Sequence, residues 1–593
     1  MKSFHAILII TVAWLFFGAF YYPKWKKPLT EATISWDVSG YYHYLPAIFI
    51  YNDLRDQSYM DSINQKYLPS TAFDQSFIHG PSGNKVNKYP IGQAILYSPF
   101  FFAAHLFAVV SDAFPADGYS KPYQFGIWIG GLLSSVIGLV LLRVVLLRYF
   151  RDVDVGWCLL AIGIGTHWIE YASINNGMNH TWLLALLCVL LFFTDNFFQK
   201  KDWGSAAGIG ISLGLAMLTR PTEVVWIVVP LLWRWHSWNE QLNFFKENKL
   251  KLLLAACIAL SFGFIQLLYW KYASGEWIVW TYANQGFDWL HPAIWKGLMG
   301  VNIGWWVYTP MMLIAMIGWW MLFRRHRPLF LPAFIPFLLA LYITMSWKHW
   351  EGGGGLGQRN LIQIYPLLAF PLTAFIAYMT THVYRKRWWI LLLVINIYYS
   401  IWWIHQSHKG GFFHAGQMNT QYFYKVAGRW NPDPGLVKLL DTDEYYHRIP
   451  KDPEVILVKD FNADTTGCLH TIAEGEKMAC LNAESQFIGP IEVPVEGRAG
   501  WLRLEADFQL VSREWDVWKY AQWIVSFEKE GINVKNNLIR VQRLVQNEQV
   551  LTHLYFDVRF PEEEFDKCTV TIWNAASPHT LLVDNLKVTH FTY

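Results

Sequence analysis

The chain of 593 residues is 53% hydrophobic and only 16% charged, against about a quarter charged in soluble globular proteins, which excludes an ordinary soluble protein. A net charge of +3, without a basic run interleaved with aromatics, gives no basis for a nucleic-acid partner. The length accommodates one large membrane domain and one further domain of about 150 residues.

Apolar runs recur from Met1 to about His405 and predict an α-helical polytopic membrane domain over 1–405. About eleven spans are expected: 4–20, 122–148, 154–172, 181–198, 204–219, 222–235, 250–272, 305–323, 329–346, 360–381 and 388–404. The first has no small-x-small cleavage site before Tyr21 and is read as a retained helix. Arg148 and Arg151, Lys200 and Lys201, Arg234 to Lys251, Arg324 to Arg327 and Arg385 to Arg387 fall on one side if these spans alternate. By the positive-inside rule that side is cytoplasmic, as is the N-terminus, and the tail after the last span lies outside. Residues 90–112 also look like a span, but counting them breaks the charge parity. They are therefore expected to lie at the outer interface, which makes 21–121 one large outer loop.

Four constellations fall on that outer side. Asp37, in Ser35-Trp36-Asp37-Val38-Ser39-Gly40-Tyr41-Tyr42-His43-Tyr44, is an acid among aromatics at the membrane surface, suited to proton abstraction or metal coordination; helix capping is the structural alternative. Lys88 stands immediately before a Pro-initiated helix and suits a phosphate, or else snorkels at the interface. His180, in Asn179-His180-Thr181, opens a span as a cap, a ligand or a proton carrier. Trp347-Lys348-His349-Trp350-Glu351 leads into five glycines and then Gln358-Arg359; glycine permits close approach to a ligand, and the guanidinium suits a mono- or diphosphate. Arg220-Pro221-Thr222-Glu223 adds a charged pair on the same side. The 33 Trp, 31 Tyr and 40 Phe fit interfacial belts and, in part, a groove for sugars or a polyprenyl chain.

Residues 1–405 resemble the GT-C superfamily of membrane glycosyltransferases, specifically the protein O-mannosyltransferase and lipid A aminoarabinose transferase group in a bacterial form. The likeness is carried by Asp37 followed by aromatics, by Lys88-Tyr89-Pro90 opening a juxtamembrane helix, and by the glycine-rich loop ending in Gly357-Gln358-Arg359. The family's second acidic position falls near Asn179-His180, where this chain has no carboxylate. The resemblance implies inverting transfer of a sugar from a polyprenyl-phosphate donor to a glycan, lipid or protein acceptor at the outer face of a bacterial inner membrane. It implies Asp37 as the general base, Lys88, Arg359 and Lys348 as donor-phosphate ligands, and Tyr41, Tyr42, His180, Trp347, Trp350 and Glu351 as sugar-binding residues. No cofactor is required; a divalent cation, if used, would fall to Asp37 and His180. The competing reading is a transporter or flippase of a lipid-linked glycan, disfavoured because transporters place charges at mid-membrane depth in broken helices.

Residues 406–449 are read as a linker and 450–593 as a periplasmic all-β domain, with alternating strands such as Trp523–Phe527 and His553–Val558. The ending Val583-Asp584-Asn585-Leu586-Lys587-Val588 resembles the last strand of jelly-roll carbohydrate-binding modules, so the sandwich either holds an acceptor glycan or serves as a structural lid. Cys468 and Cys480 are close enough in sequence for a disulfide, and the alternative is that both are free thiols.

Overall fold

Long apolar runs become long helices because each backbone amide in lipid must be satisfied within its own segment. The computed structural model describes residues 2–28, 31–67, 73–282, 285–446, 448–462, 468–473, 476–496, 498–512, 519–545 and 547–592. It forms two compact units, Met1–Gly416 and Gln417–Tyr593.

Among the described residues of the first unit, eight helices are long and apolar enough to cross a membrane. They are Ser3–Lys26, Gly92–Val110, Lys121–Leu146, Asn179–Lys200, Lys249–Ser274, Arg327–Ser346, Arg359–Met379 and Val383–Gly410. The protein is a multi-pass membrane protein. Seven of the eight match expected spans, and Gly92–Val110 is the addition.

The other four expected spans are shorter or broken. The 154–172 run divides into Asp152–Gly163 and Trp168–Ser173, with Gly163 and Gly165 at the break. The 305–323 run divides into Trp305–Tyr308 and Pro310–Arg325, because Pro310 supplies no amide hydrogen to continue the first turn. Trp203–Thr219 has 17 residues, and the next segment opens as a 3-10 turn, Pro221–Ile227, before Val228–Leu232.

Polar bonds gather the basic helix ends on one face. Buried Asp195 accepts from Arg148 and, at 3.1 Å, from Arg234 Nη2. Arg151 Nη2 bonds Thr380 Oγ1 at 2.9 Å, and Trp235 N donates to the Pro328 carbonyl at 3.2 Å.

Gly92–Val110 stands differently. At 19 residues it is about 28 Å long, enough to cross by length alone. Yet Gly92 packs on the backbone of Leu218 and Thr219, where Trp203–Thr219 ends away from the basic face. Further along, Tyr97 donates to the Gly177 carbonyl just before Asn179 starts its helix, and His105 Nδ1 lies 2.6 Å from Tyr123 Oη, near the start of Lys121–Leu146. Both ends of this helix thus lie by neighbouring helix ends away from the Arg148–Arg151 and Lys200–Lys201 loops. Its Phe102, Leu106, Phe107, Val109 and Val110 are exposed.

In the second unit, Trp501–Leu510 pairs with Thr552–Arg559 and with Leu581–Thr592, which also pairs with Lys451–Lys459 and Glu476–Leu481; Leu469–Ala473 completes a six-stranded sheet. Phe487–Glu492, Lys567–Trp573, Gln522–Lys529 and Ile532–Arg540 form a four-stranded sheet, and every pairing is antiparallel. Alternation sends Leu502, Leu504, Ala506 and Phe508 from one sheet, and Trp523, Val525 and Phe527 from the other, into one buried core. The Trp523 ring lies 5.1 Å from Phe508 and 5.0 Å from Phe556.

Residues 417–449, expected as linker, belong to this unit. Asp441 is bridged by Arg543 Nη1 at 2.7 Å and accepts from Arg540 N at 2.8 Å, and Asn537 Nδ2 donates to Glu444 at 2.7 Å. Packing attaches them too: Tyr446 is buried with Trp501 and Phe591. Cys468 and Cys480 are disulfide-bonded with Cα atoms 5.0 Å apart, while Cys568 is a buried free thiol.

Candidate active site

The short helix Asp37–Tyr42 follows Trp36, whose φ of 51° is unusual for a bulky residue. Gly40 lets the segment after the Ser76–Ile78/Lys85–Asn87 hairpin come close: a Cβ there would lie 2.5 Å from the Tyr89 ring. Asn87 Nδ2 donates to the Gly40 carbonyl at 2.6 Å, and Tyr44 Oη donates to the Tyr89 carbonyl at 2.6 Å. Lys88 and Tyr89 are therefore fixed against Asp37.

Tyr89 Oη donates to Asp37 Oδ1 at 2.7 Å, and Arg359 Nη2 donates to Asp37 Oδ2 at 2.8 Å. Burial first, and the Asp37 charge second, push the Tyr89 phenol well above its ordinary value, so it stays protonated and donating. Burial likewise raises Tyr41 well above that value and Tyr282 to about 12.

Arg359 reaches Asp37 because the preceding loop folds tightly. Gly352, Gly353, Gly354, Gly355 and Gly357 all have positive φ, which glycine adopts at no steric cost, and Arg359 Nη2 also donates to the Gly352 carbonyl.

These residues line one cavity of about 350 Å³. Asp37, Lys88, Arg359, Tyr41, His180 and Trp347, all expected at the site, are in its wall. Asn179, His180, Thr219, Thr344 and Arg359 come from helix ends opposite the basic face. The Lys88 ammonium lies 5.5 Å from the Tyr89 ring centre and 5.6 Å from that of Tyr282.

Four expected site residues are not in the cavity wall. Tyr42 is fully buried and donates to the Gly118 carbonyl, because consecutive helical residues point about 100° apart and Tyr41 takes the cavity side. Lys348 and Glu351 are exposed, and Trp350 packs at Gly297. Their loop pairs backbone to backbone with 286–288, through Lys348 N to the Gly286 carbonyl at 3.0 Å and Asp288 N to the Ser346 carbonyl at 2.7 Å, and this turns alternate side chains away.

The sequence reading missed Asn360, Trp280, Tyr282 and Phe287, and treated Arg220 only as an ion pair; all five line the cavity. The aromatic density of 277–289 was the available signal. Arg220 Nη1 lies 3.3 Å from Asn360 Oδ1 and Arg220 Nε 3.8 Å from Glu223 Oε1, while Gln363 links Glu223 at 3.1 Å to His180 at 3.3 Å.

No group of three or more His, Cys, Asp or Glu side chains converges among the described residues. Both Asp37 oxygens accept from protein donors, one a guanidinium, and no step below passes through a metal. What the cavity offers is one carboxylate with lone pairs to spare, three cationic side chains and an aromatic wall.

No family model and no curated protein matches the chain. Among solved structures it is similar to the archaeal oligosaccharyltransferase AglB from Archaeoglobus fulgidus, in complex with an inhibitory peptide and a dolichol-phosphate. That likeness has TM-score 0.43 at 10% identity, over 72% of this chain and 57% of that one. The apo form of the Archaeoglobus fulgidus oligosaccharyltransferase gives TM-score 0.41 at 10% identity, over 72% and 58%. Arabinosyltransferase EmbB from Mycobacterium smegmatis gives 0.34 at 10% identity, over 98% and 64%. The chain spans less than two thirds of each, so the functional reading rests on the cavity itself.

Proposed function

We propose that this protein transfers a sugar, with inversion, from a polyprenyl-phosphate donor to an acceptor hydroxyl at the outer face of a bacterial inner membrane. The observation that carries the reading is Asp37 sharing one cavity with Lys88, Arg220 and Arg359 at the helix ends opposite the basic face. With the basic face cytoplasmic, the cavity opens to the periplasmic side, and Gly92–Val110 lies in the outer interface with its exposed apolar residues in lipid.

Asp37 takes the proton of the acceptor hydroxyl, whose oxygen attacks the anomeric carbon from the face opposite the phosphate. The carbon–oxygen bond to phosphate breaks and its electron pair leaves with the phosphate, which goes from about −1 to between about −1.5 and −2. Lys88 and Arg359 stabilise that growing charge. One base suffices for inversion, so the absence of a carboxylate at Asn179-His180 leaves the chemistry intact.

The test is sugar transfer from a radiolabelled polyprenyl-phosphate sugar by membranes containing the protein. Asp37→Asn is expected to lower the rate by about 10²- to 10⁴-fold. Undiminished transfer by that variant removes Asp37 as the base.

A further inference from the structure

The segment Pro221–Leu232 is too short to cross a bilayer alone. Its seven 3-10 residues and five α-helical ones rise about 21 Å, against a hydrocarbon core of about 30 Å. Its first residues, Pro221 and Thr222, line the cavity that holds Asp37, and its last, Leu232, stands two positions before Arg234 on the basic face. There the chain turns, with Arg234 at φ 53°, and enters the helix Trp238–Glu247.

That helix is tied back against the end of the short segment. Ser237 Oγ caps it by accepting from Glu240 N at 3.3 Å, and Gln241 Nε2 donates to the Leu231 carbonyl at 2.9 Å. Phe244 lies flat on Phe198 near the end of Asn179–Lys200, with ring centres 4.3 Å apart. Trp238, Leu242 and Phe245 follow at helical spacing and share one face. Between that face and Val228, Leu231 and Leu232 lies a cavity of about 210 Å³. These six wall residues are apolar, and the remaining one, Gln241, spends its amide NH2 on the Leu231 carbonyl. Leu231 is 44%, Leu242 50% and Trp238 68% exposed, so the cavity is open to its surroundings.

We propose that this notch seats one acyl chain of a bilayer phospholipid from the leaflet at the basic face. A wall that makes no hydrogen bond to its contents repels a sugar, a phosphate or a polar headgroup and accepts hydrocarbon. The notch is continuous with the lipid-facing surface of this membrane protein, through exposed Ile227 and Leu231 on the short segment. Lys246 and Lys249, both exposed and within four positions of Phe245, mark the headgroup level beside it. An acyl chain enters from that interface directly, whereas a polyprenyl chain headed in the Asp37 cavity would have to run the length of the segment. The seated chain props the short segment from one end while its other end supplies Pro221 and Thr222 to the cavity wall. The inference stands apart from the transferase reading.

The experiment uses the purified full chain in vesicles of phosphatidylethanolamine and phosphatidylglycerol containing a trace of phosphatidylglycerol with a photoreactive acyl chain. Labelled peptides are mapped by mass spectrometry, and Leu260 and Phe264, exposed on Lys249–Ser274, give the internal control for general lipid contact. The wild type is expected to be labelled within 228–245. Leu242→Trp fills the notch and is expected to lower that labelling about 10-fold relative to the control, the worth of roughly two methylenes of lost contact. Leu231→Trp fills it from the opposite wall and gives the same readout if Leu242→Trp does not fold. Leu242→Ala widens the notch and is expected to keep the labelling. Labelling within twofold of wild type in the filled variants, or an equal loss in Leu242→Ala, overturns the notch. Polyprenyl phosphate that removes the 228–245 labels and spares the control assigns the notch to an isoprenoid chain and overturns the acyl-chain proposal.

Discussion

Arg359 Nη2 stands 2.8 Å from Asp37 Oδ2 although 322 positions separate the two residues. The same nitrogen holds the Gly352 carbonyl, so one guanidinium orients the acid and closes the glycine loop. A lysine keeps the charge but lacks the planar fork. Arg359→Lys is expected to lower kcat/KM for sugar transfer about 10- to 100-fold, measured with membranes at matched protein levels.

Gly92–Val110 has both ends beside helix ends away from the Arg148–Arg151 and Lys200–Lys201 loops, which makes a labelling prediction. Cysteines introduced at Gly83 and Asp112 are expected to react equally with a membrane-impermeant maleimide applied from outside. One at Lys201, next to the basic face, is expected to stay unlabelled until the membrane is opened. Opposite sidedness of positions 83 and 112 would show that the helix crosses.

Gly355 has φ +134° and faces Tyr171, whose hydroxyl would lie 2.8 Å from an added Cβ. Gly355→Val brings both backbone strain and a clash. A loss of about 1–3 kcal/mol in thermal or denaturant unfolding of the first unit is expected, together with reduced transfer.

His43 gives a pH dependence. It is buried, its Nε2 donates to the Phe73 carbonyl at 2.8 Å, and its Nδ1 faces Tyr119 Oη at 3.2 Å, which fits a neutral ring. Burial lowers its pKa to about 4 from 6.5. Between those values the unfolded chain binds the proton that the folded chain refuses, so stability rises with pH from about 4 to about 6.5 and is lost on acidification through that window. The midpoint of thermal unfolding is expected to fall from pH 7 to pH 5. His43→Gln, which has no titrating ring, is expected to flatten that slope; an unchanged slope assigns the acid sensitivity elsewhere.

Much of the architecture was legible in the sequence because lipid imposes length and hydropathy and the positive-inside rule imposes parity. Seven expected spans became long helices. The four that did not contain Gly163, Gly165, Pro221 or Pro310 at or near their breaks, so local backbone chemistry overrode hydropathy. For the site, Asp37, Lys88, His180 and Arg359 were readable because charged and imidazole groups at helix ends are conspicuous. Asn360 and Tyr282 were not, since an amide or a phenol among many signals nothing until the fold shows what it faces. Lys348 and Glu351 misled for the opposite reason: charge marks a loop, but backbone pairing with 286–288 decides which way each side chain turns.

The contacts of Asp37 also imply an order of assembly. A ribosome adds about 5–20 residues per second. Tyr89, 52 positions on, is synthesised within roughly 3 to 10 s of Asp37. Arg359, 322 positions on, follows roughly 15 to 65 s after it. During that interval the nascent chain carries an acid at the membrane surface with one partner and no counter-charge from Arg359. The finished pocket is thus a late product of biosynthesis, and chains stalled before residue 359 would insert most of their helices yet lack a closed site.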